Sequence, residues 1–360
     1  MSVPQFHSLT VCDIRKETTD CVSVAFSIPA ELQANYQYES GQYITFKHTL
    51  NGEEIRRSYS LCSSPLENDF RVAIKQVEGG LFSTYANASL NVGDVLEVME
   101  PMGKFNTPLS ATQKQNYMAF AAGSGITPVL SLIKTILATE TESTFTLVYG
   151  NKNVHSIIFR EEIEALKNRY MGRLQVVHVL SRERLETEIN NGRIDSNKCQ
   201  QIFSGLADVQ QFHHFFLCGP EEMIMSVKQY LIDKGTPENK VHFELFTSGH
   251  SGKNNQWQAS HTQENEQLCT VTIKVDDRTY DIQLAYGGDT ILDAALKSGA
   301  DLPYACKGGV CCTCRAKVME GEVDMEVNYA LEADEVANGF VLTCQAHPKS
   351  EKVFIDFDAR

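Results

Sequence analysis

Cys306, Cys311 and Cys314 crowd one short stretch near the C-terminus, and Cys344 follows later in the chain. The resulting spacing, C-x4-C-x2-C…C, is that of the thiolates around a plant-type [2Fe–2S] cluster, and no other feature restricts the fold so much. One loop must bring three sulfurs to a single cluster while a distant strand or turn supplies the fourth. Gly308 and Gly309 let the intervening backbone turn its amides toward sulfur. A structural zinc site generally uses two short cysteine pairs instead. A chain built around such a loop moves single electrons.

At 360 residues the chain exceeds the usual span of one domain, so two or three domains are expected, each with its own core. Its eleven cysteines are odd in number, and Met1–Thr10 holds no basic flank followed by an apolar stretch. A reducing, cytoplasmic setting is therefore expected rather than a secreted disulfide framework. No apolar run reaches the ~18–20 residues of a membrane span, so the protein reads as soluble, with no membrane partner of its own. The net charge of −14 argues against a nucleic-acid partner, which would need a basic face. Acidic residues crowd the last hundred positions, among them Asp276, Asp289, Asp301, Glu320 and Asp356. They can steer an electron acceptor into transient contact, and solubility accounts for them equally well.

Three textures follow one another, and they set the expected fold class: an antiparallel flavin-binding β-barrel, a parallel α/β nicotinamide-binding domain and a C-terminal β-grasp ferredoxin domain. In residues 1–108, alternating runs such as Val22–Ile28 and Phe70–Val77 are punctuated by Gly and Pro, as in a barrel. In residues 109–247, short apolar strands at Tyr117–Ala122, Phe145–Tyr149, Leu174–Leu180 and Phe215–Cys218 alternate with helical patterns at Val129–Leu137 and Phe159–Tyr170. Residues 248–268 are polar and nearly free of aliphatic side chains, which predicts a linker that Trp257 can pin to a neighbour or leave loose. In residues 269–360, Cys269–Val275 and Tyr280–Leu284 read as paired strands, followed by a short helix over Thr290–Ser298 capped by Asp289 or Thr290.

The barrel segment carries Arg57-Ser58-Tyr59-Ser60 at the end of a strand. A guanidinium for a phosphate, an aromatic face for a flat ring and a hydroxyl within a few residues are the groups a flavin needs. Downstream come Val72, Ile74 and Lys75, then Gly79-Gly80-Leu81-Phe82-Ser83, where a glycine turn opens a short helix suited to a pyrophosphate. Alone, each motif is an ordinary strand end or turn; together they predict a flavin site with Arg57, Ser58, Tyr59, Ser60, Val72, Ile74, Lys75, Gly80, Phe82 and Ser83 around it. FAD is expected over FMN.

The α/β segment places Gly123-Ser124-Gly125-Ile126-Thr127-Pro128 between a strand and a helix. Gly123, Gly125 and Thr127 thereby offer close backbone approach and helix amides to a phosphate. The third glycine of the usual dinucleotide fingerprint is missing, and Tyr149-Gly150-Asn151 stands where an acidic ribose ligand is expected. Ser181 and Arg182, after a later strand, suit the 2′-phosphate of NADPH; if Arg182 is only a solvated partner of Glu183 or Glu186, NADH serves as well. Gly219 and Pro220 follow Cys218 at the sheet edge where ligands of such domains sit.

In this order, the signals resemble the ferredoxin–NADP reductase superfamily fused to a C-terminal plant-type ferredoxin, over nearly the whole chain from Leu9 to Asp358. Within it, the chain is similar to the reductase subunits of phenylacetyl-CoA 1,2-epoxidases, through Phe6–Val11, Glu53–Arg57, Ile291–Leu296, Leu302–Cys311 and Val353–Asp358. The resemblance implies an NAD(P)H-dependent oxidoreductase that moves electrons from NADPH to FAD, to the cluster at Cys306, Cys311, Cys314 and Cys344, and on to a di-iron oxygenase in phenylacetate catabolism. It also implies a transient or stable multisubunit complex with that oxygenase. Ser60, Cys218 and Glu244 fall where the superfamily places residues around the flavin–nicotinamide contact. A reductase serving another oxygenase, a hydroxylase or a hybrid-cluster protein would have the same internal chemistry, and a non-catalytic flavin- and metal-binding subunit is the remaining alternative. Cys312, beside Cys311, departs from the family pattern; it can compete for iron, and it reads first as a small hydrophobe packed behind the loop, since the ligand spacing is complete without it.

Overall fold

Six strands form the first sheet: β1 (Phe6–Thr18), β2 (Cys21–Ser27), β3 (Tyr43–Leu50), β4 (Glu53–Ser60), β5 (Arg71–Lys75) and β6 (Val95–Met99), in the order β4-β3-β6-β1-β2-β5. Leu61, just past β4, bridges Val72 of β5 and so joins the two edges into a barrel. The computed structural model describes residues 4–50, 52–205, 207–246 and 268–359. The expected linker, apart from Leu268, and Trp257 lie outside the described residues.

The alternation read in β2 has a particular cause. Val22, Val24 and Phe26 fill the barrel core, while the residues between them, Ser23 and Ala25, are small and equally buried. Cys21 and Ala73 face outward into a second core shared with Ile126 and Tyr149. The second face of β2 meets its neighbours closely, and small side chains fill that space. Helix α1 (Leu81–Ala88) follows β5.

That second core belongs to a five-stranded sheet of β7 (Asn116–Ala122), β8 (Thr144–Asn151), β9 (Leu174–Leu180), β10 (His214–Gly219) and β11 (Val241–Leu245). Its order is β11-β10-β7-β8-β9, and every pairing is parallel. Helices α2 (Ile126–Thr139), α3 (Arg160–Arg169), α4 (Ser196–Gly205) and α5 (Glu221–Asp233) connect the strands. Parallel strands buried on both faces read as unbroken apolar runs, as in Phe215-Phe216-Leu217-Cys218, where no residue is exposed. Polar contacts set the barrel against this sheet. The Ser131 hydroxyl donates to the Ser63 carbonyl at 2.6 Å, Ser64 and Thr135 hydroxyls meet at 2.8 Å, and the Lys134 ammonium lies between Glu67 and Glu162.

The C-terminal unit holds β12 (Leu268–Val275), β13 (Arg278–Ala285), α6 (Ile291–Lys297), β14 (Arg315–Glu320), β15 (Val323–Met325), α7 (Ala333–Ala337), β16 (Phe340–Leu342), β17 (Ala346–Pro348) and β18 (Lys352–Asp356). Its main sheet runs β13-β12-β18-β14-β16, with β15 and β17 paired separately. The β12–β13 hairpin turns on Asp276 and Asp277, both left-handed, and the Asp358 carboxylate accepts their amides at 2.9 and 3.1 Å. Thr290 is the residue that caps α6, its hydroxyl accepting from the Asp293 amide. Ile291, Leu292 and Ala295 of α6 are buried in the core of this unit. No helix among the described residues is long and apolar enough to cross a membrane.

Candidate functional site

The end of β4 delivers Arg57 exposed, Ser58 and Tyr59 half-buried, and Ser60 buried. The Tyr59 ring lies 5.8 Å from both Phe46 and Phe82, which themselves stack at 5.3 Å inside the barrel. Val72, Ile74 and Phe82 are fully buried in the barrel core, so their side chains build the wall and only their backbone can face a bound group. Gly79 adopts a φ of +72° before α1, a conformation that costs glycine little. The Ser83 hydroxyl accepts from the Val77 amide at 3.1 Å and donates to the Gly80 carbonyl at 3.3 Å, tying this turn closed. No side chain caps α1 at Gly80, and its first turn holds no acid, so an anion meets no competing carboxylate there.

Ser60, Cys218 and Glu244 come together from three strands. Cys218 of β10 and Glu244 of β11 are register partners, and the Ser60 hydroxyl donates to the Glu244 carboxylate at 2.8 Å across 184 residues of sequence. Burial pushes the Glu244 carboxyl up to about 7, an effect the Ser60 hydrogen bond partly offsets. Burial, reinforced by the Glu244 charge, pushes the Cys218 thiol well above its usual value, so it stays neutral.

At the C-terminal ends of β7, β8, β9 and β10 lies a cleft of about 640 Å³. Gly123 (φ +55°) and Ser124 form one wall, Ser181 and Gly192 another, Gly219 and Pro220 a third. Gly125 sits beneath: any Cβ there would collide with the Cys218 carbonyl, which explains the glycine by close approach of two elements. The Thr127 hydroxyl donates to the Ser124 carbonyl at 3.0 Å and so shapes the turn entering α2. Lys75 reaches the cleft from the barrel, its ammonium 3.8 Å from where a Cβ on Gly123 would stand.

A neighbouring cavity of about 590 Å³ shares Ser181 and Gly192 with the cleft and is lined by Arg182 and Arg184. The Glu183 carboxylate accepts from the Val154 amide at 2.8 Å and is thereby occupied. Lys152 and Arg193 also line the cleft. Sequence reasoning passed over both, because Arg193 follows a bare glycine turn with no motif around it and only the fold carries it back to the strand ends.

In the C-terminal unit the four thiols form a chain of contacts. The Cys311 sulfur lies 3.1 Å from that of Cys306, Cys306 also meets Cys344, and Cys344 meets Cys314. Among the described residues no three metal-binding side chains surround one ion; a binuclear cluster instead takes two thiolates on each iron. Lys307 (φ +50°) and Gly309 (φ +73°) bend the loop so that the Gly308 amide, at 3.3 Å, and the Val310 amide donate to the Cys306 sulfur. Donation from Cys311, Cys344 and these amides holds Cys306 as a thiolate, far below the usual thiol range. The Gln345 carboxamide reaches the Cys344 sulfur at 3.7 Å and the Lys307 carbonyl at 3.2 Å, linking the fourth thiol to the loop. The Cys312 thiol points to the Ala330 carbonyl at 3.2 Å.

These donor sets fit three groups: a flat aromatic cofactor with a phosphate at the barrel, a dinucleotide in the cleft, and an iron–sulfur cluster in the loop. Comparison with known proteins agrees. The oxidoreductase FAD-binding domain pattern matches residues 8–107, the oxidoreductase NAD-binding domain pattern residues 120–229, and the 2Fe-2S iron–sulfur cluster binding domain pattern residues 273–349. The chain is 45% identical to a component of the 1,2-phenylacetyl-CoA epoxidase of Escherichia coli, over 99% of this chain and 98% of that protein. It is 33% identical to the ferredoxin reductase component of 3-ketosteroid-9-alpha-monooxygenase from Rhodococcus rhodochrous, over 97% and 96% of the two chains. The fold is similar to that of phthalate dioxygenase reductase, with a TM-score of 0.58 and 22% identity over 98% of both chains.

Proposed function

Because the chain belongs to the family of oxygenase reductase components that unite FAD-binding, NAD-binding and [2Fe–2S] domains, we propose that it carries electrons from NADPH to a di-iron oxygenase acting on phenylacetyl-CoA. The likeness to the Escherichia coli epoxidase component supports that acceptor. We assign residues 1–108 to the flavin domain, 109–247 to the nicotinamide domain, 248–268 to a linker and 269–360 to the ferredoxin domain, working in the cytoplasm.

The observation that carries this reading is the meeting of Ser60, Cys218 and Glu244 beside a dinucleotide-sized cleft. When bound, FAD accepts two electrons together from a nicotinamide and releases them singly to a one-electron centre. Around it, Arg57 would hold a flavin phosphate, Tyr59 would cover the ring, and the amides opening α1 at Gly80 would receive the pyrophosphate. Ser60, Cys218 and Glu244 line the place where the two rings meet. Gly123, Gly125, Thr127, Gly219 and Pro220 shape the nucleotide cleft, and Ser181 with Arg182 would take the 2′-phosphate. Cys306, Cys311, Cys314 and Cys344 hold the iron, and the Gly308 and Val310 amides favour its reduced, more negative form.

Anaerobic titration with NADPH of protein loaded with FAD and iron tests the whole sequence. Bleaching of the flavin absorption together with a rhombic low-temperature EPR signal is the expected result. Flavin bleaching with no cluster signal in iron-replete protein would refute delivery through the four cysteines. The guanidinium of Arg182 enters no ion pair among the described residues, so Arg182→Ala is expected to raise KM for NADPH at least tenfold and for NADH less than twofold. Equal losses for the two cofactors would remove the 2′-phosphate role.

A further inference from the structure

Asn151 ends β8 where that strand meets the dinucleotide cleft, and it is only 8% exposed. Its carboxamide nitrogen is buried without a hydrogen-bond partner. An unpaired buried N–H is costly, so such a group in a folded protein needs an explanation. The groups around it are otherwise engaged. The adjacent Tyr149 hydroxyl offers the Asn151 carboxamide at most a weak hydrogen bond, and itself donates to the Gly123 carbonyl at 2.9 Å. The Asn151 main-chain carbonyl accepts from the Ser181 amide at 2.9 Å and from its hydroxyl at 3.3 Å.

Asn151 also stands where dinucleotide-binding domains ordinarily carry an acid that accepts from a ribose hydroxyl. An amide nitrogen donates, so its counterpart is an accepting oxygen, of a phosphate or of a ribose hydroxyl, and the charge of the cleft wall decides between them. Lys75, Lys152 and Arg193 make the cleft wall cationic. Of the two acids on that wall, Asp195 already accepts from the Lys198 amide, and Glu222 lies in the first turn of α5.

We propose that the Asn151 carboxamide donates a hydrogen bond to a phosphate oxygen of the bound dinucleotide, and so contributes to binding of NADPH and NADH alike. This rests on the dinucleotide reading of the cleft and assigns that site a donor in place of the missing acid. It differs from the role of Arg182, which concerns the 2′-phosphate alone.

The test uses full-length, FAD-loaded protein carrying Asn151→Ala or Asn151→Asp, with NADP+ and NAD+ binding followed by flavin absorption and turnover by ferricyanide reduction. Loss of a hydrogen bond to a charged oxygen is expected to weaken both cofactors about tenfold in the alanine variant. The added charge should weaken both about a hundredfold in the aspartate variant. Turnover at saturation should stay within about twofold in the alanine variant, with an unchanged thermal midpoint, which a purely structural role would lower. Should the aspartate variant fail to retain FAD, the alanine variant decides. Unchanged binding in the alanine variant would overturn the proposal, as would tighter NAD+ binding by the aspartate variant, because that result means a ribose hydroxyl is the partner. If the unaltered protein binds neither cofactor, the dinucleotide reading fails and this proposal with it; if it binds both and only the variants behave as wild type, this proposal alone fails.

Discussion

Cys311→Ser is expected to cut electron delivery to cytochrome c and to an oxygenase partner at least about a hundredfold, while NADPH-driven ferricyanide reduction stays within about twofold of the unaltered protein. A thiolate ligand contributes both charge and a bond to iron that a hydroxyl does not replace. Cys311 is 6% exposed, in contact with Cys306 and within reach of the Thr313 side chain, so serine fits the space while the cluster loses a ligand. Ferricyanide can take electrons from the flavin directly, and it therefore separates a broken cluster from a broken flavin site. EPR of the reduced variant should lack the rhombic signal. Cys312→Ser is the matched control, since its thiol is directed at the Ala330 carbonyl and the variant should keep the signal. A Cys311→Ser protein that retains the signal, with a Cys312→Ser protein that loses it, would move the ligand by one position.

Where side-chain spacing by itself determines a structure, the chain was readable. The parallel strands showed as apolar runs because helices cover both sides of their sheet, and Leu174–Leu180 is bounded as its pattern indicates. The spacing of Cys306, Cys311, Cys314 and Cys344 was readable as far as predicting sulfurs that meet, and the fold brings them into contact. What could not be read depends on contacts between distant residues. Nothing in the sequence around Ser60 or Glu244 announces the 2.8 Å bond between them, because the barrel must first dock on the sheet through Ser63, Ser64 and Ser131. Arg193 reaches the cleft only because the turn after Gly192 ends at the same edge as β8, whereas the distance of Asn151 from the glycine turn already set it at the dinucleotide site. Val72, Ile74 and Phe82 show the converse: the motif set them around a cofactor, but their side chains serve the barrel core.

Glu244→Gln is expected to flatten two pH dependences that run in opposite directions. Burial raises this carboxyl from 4.5 to about 7. Below 4.5 the folded and unfolded chains are both protonated. Between 4.5 and 7 the folded chain keeps a proton that the unfolded chain has released, so stability falls as pH rises through this window and stays lower above 7. The loss is about 2 kcal/mol, allowing for the partial exposure of the group. Glutamine is neutral throughout, so the variant should gain on the unaltered protein between pH 5 and 8 in urea unfolding. Activity should show the reverse. As a nicotinamide gives up its electrons its ring becomes positive, and an ionised carboxylate beside it lowers the barrier in a way a neutral amide cannot. Flavin reduction by NADPH in stopped flow should therefore speed up in the unaltered protein as pH passes 7. In Glu244→Gln it should remain at the low-pH level, about tenfold to a hundredfold slower at pH 8. A variant as fast as the unaltered protein at pH 8 would exclude the charge from this step. With both results in hand, the strand end at Glu244 holds a carboxylate that the fold disfavours and the electron transfer requires, the usual direction of a trade between stability and activity.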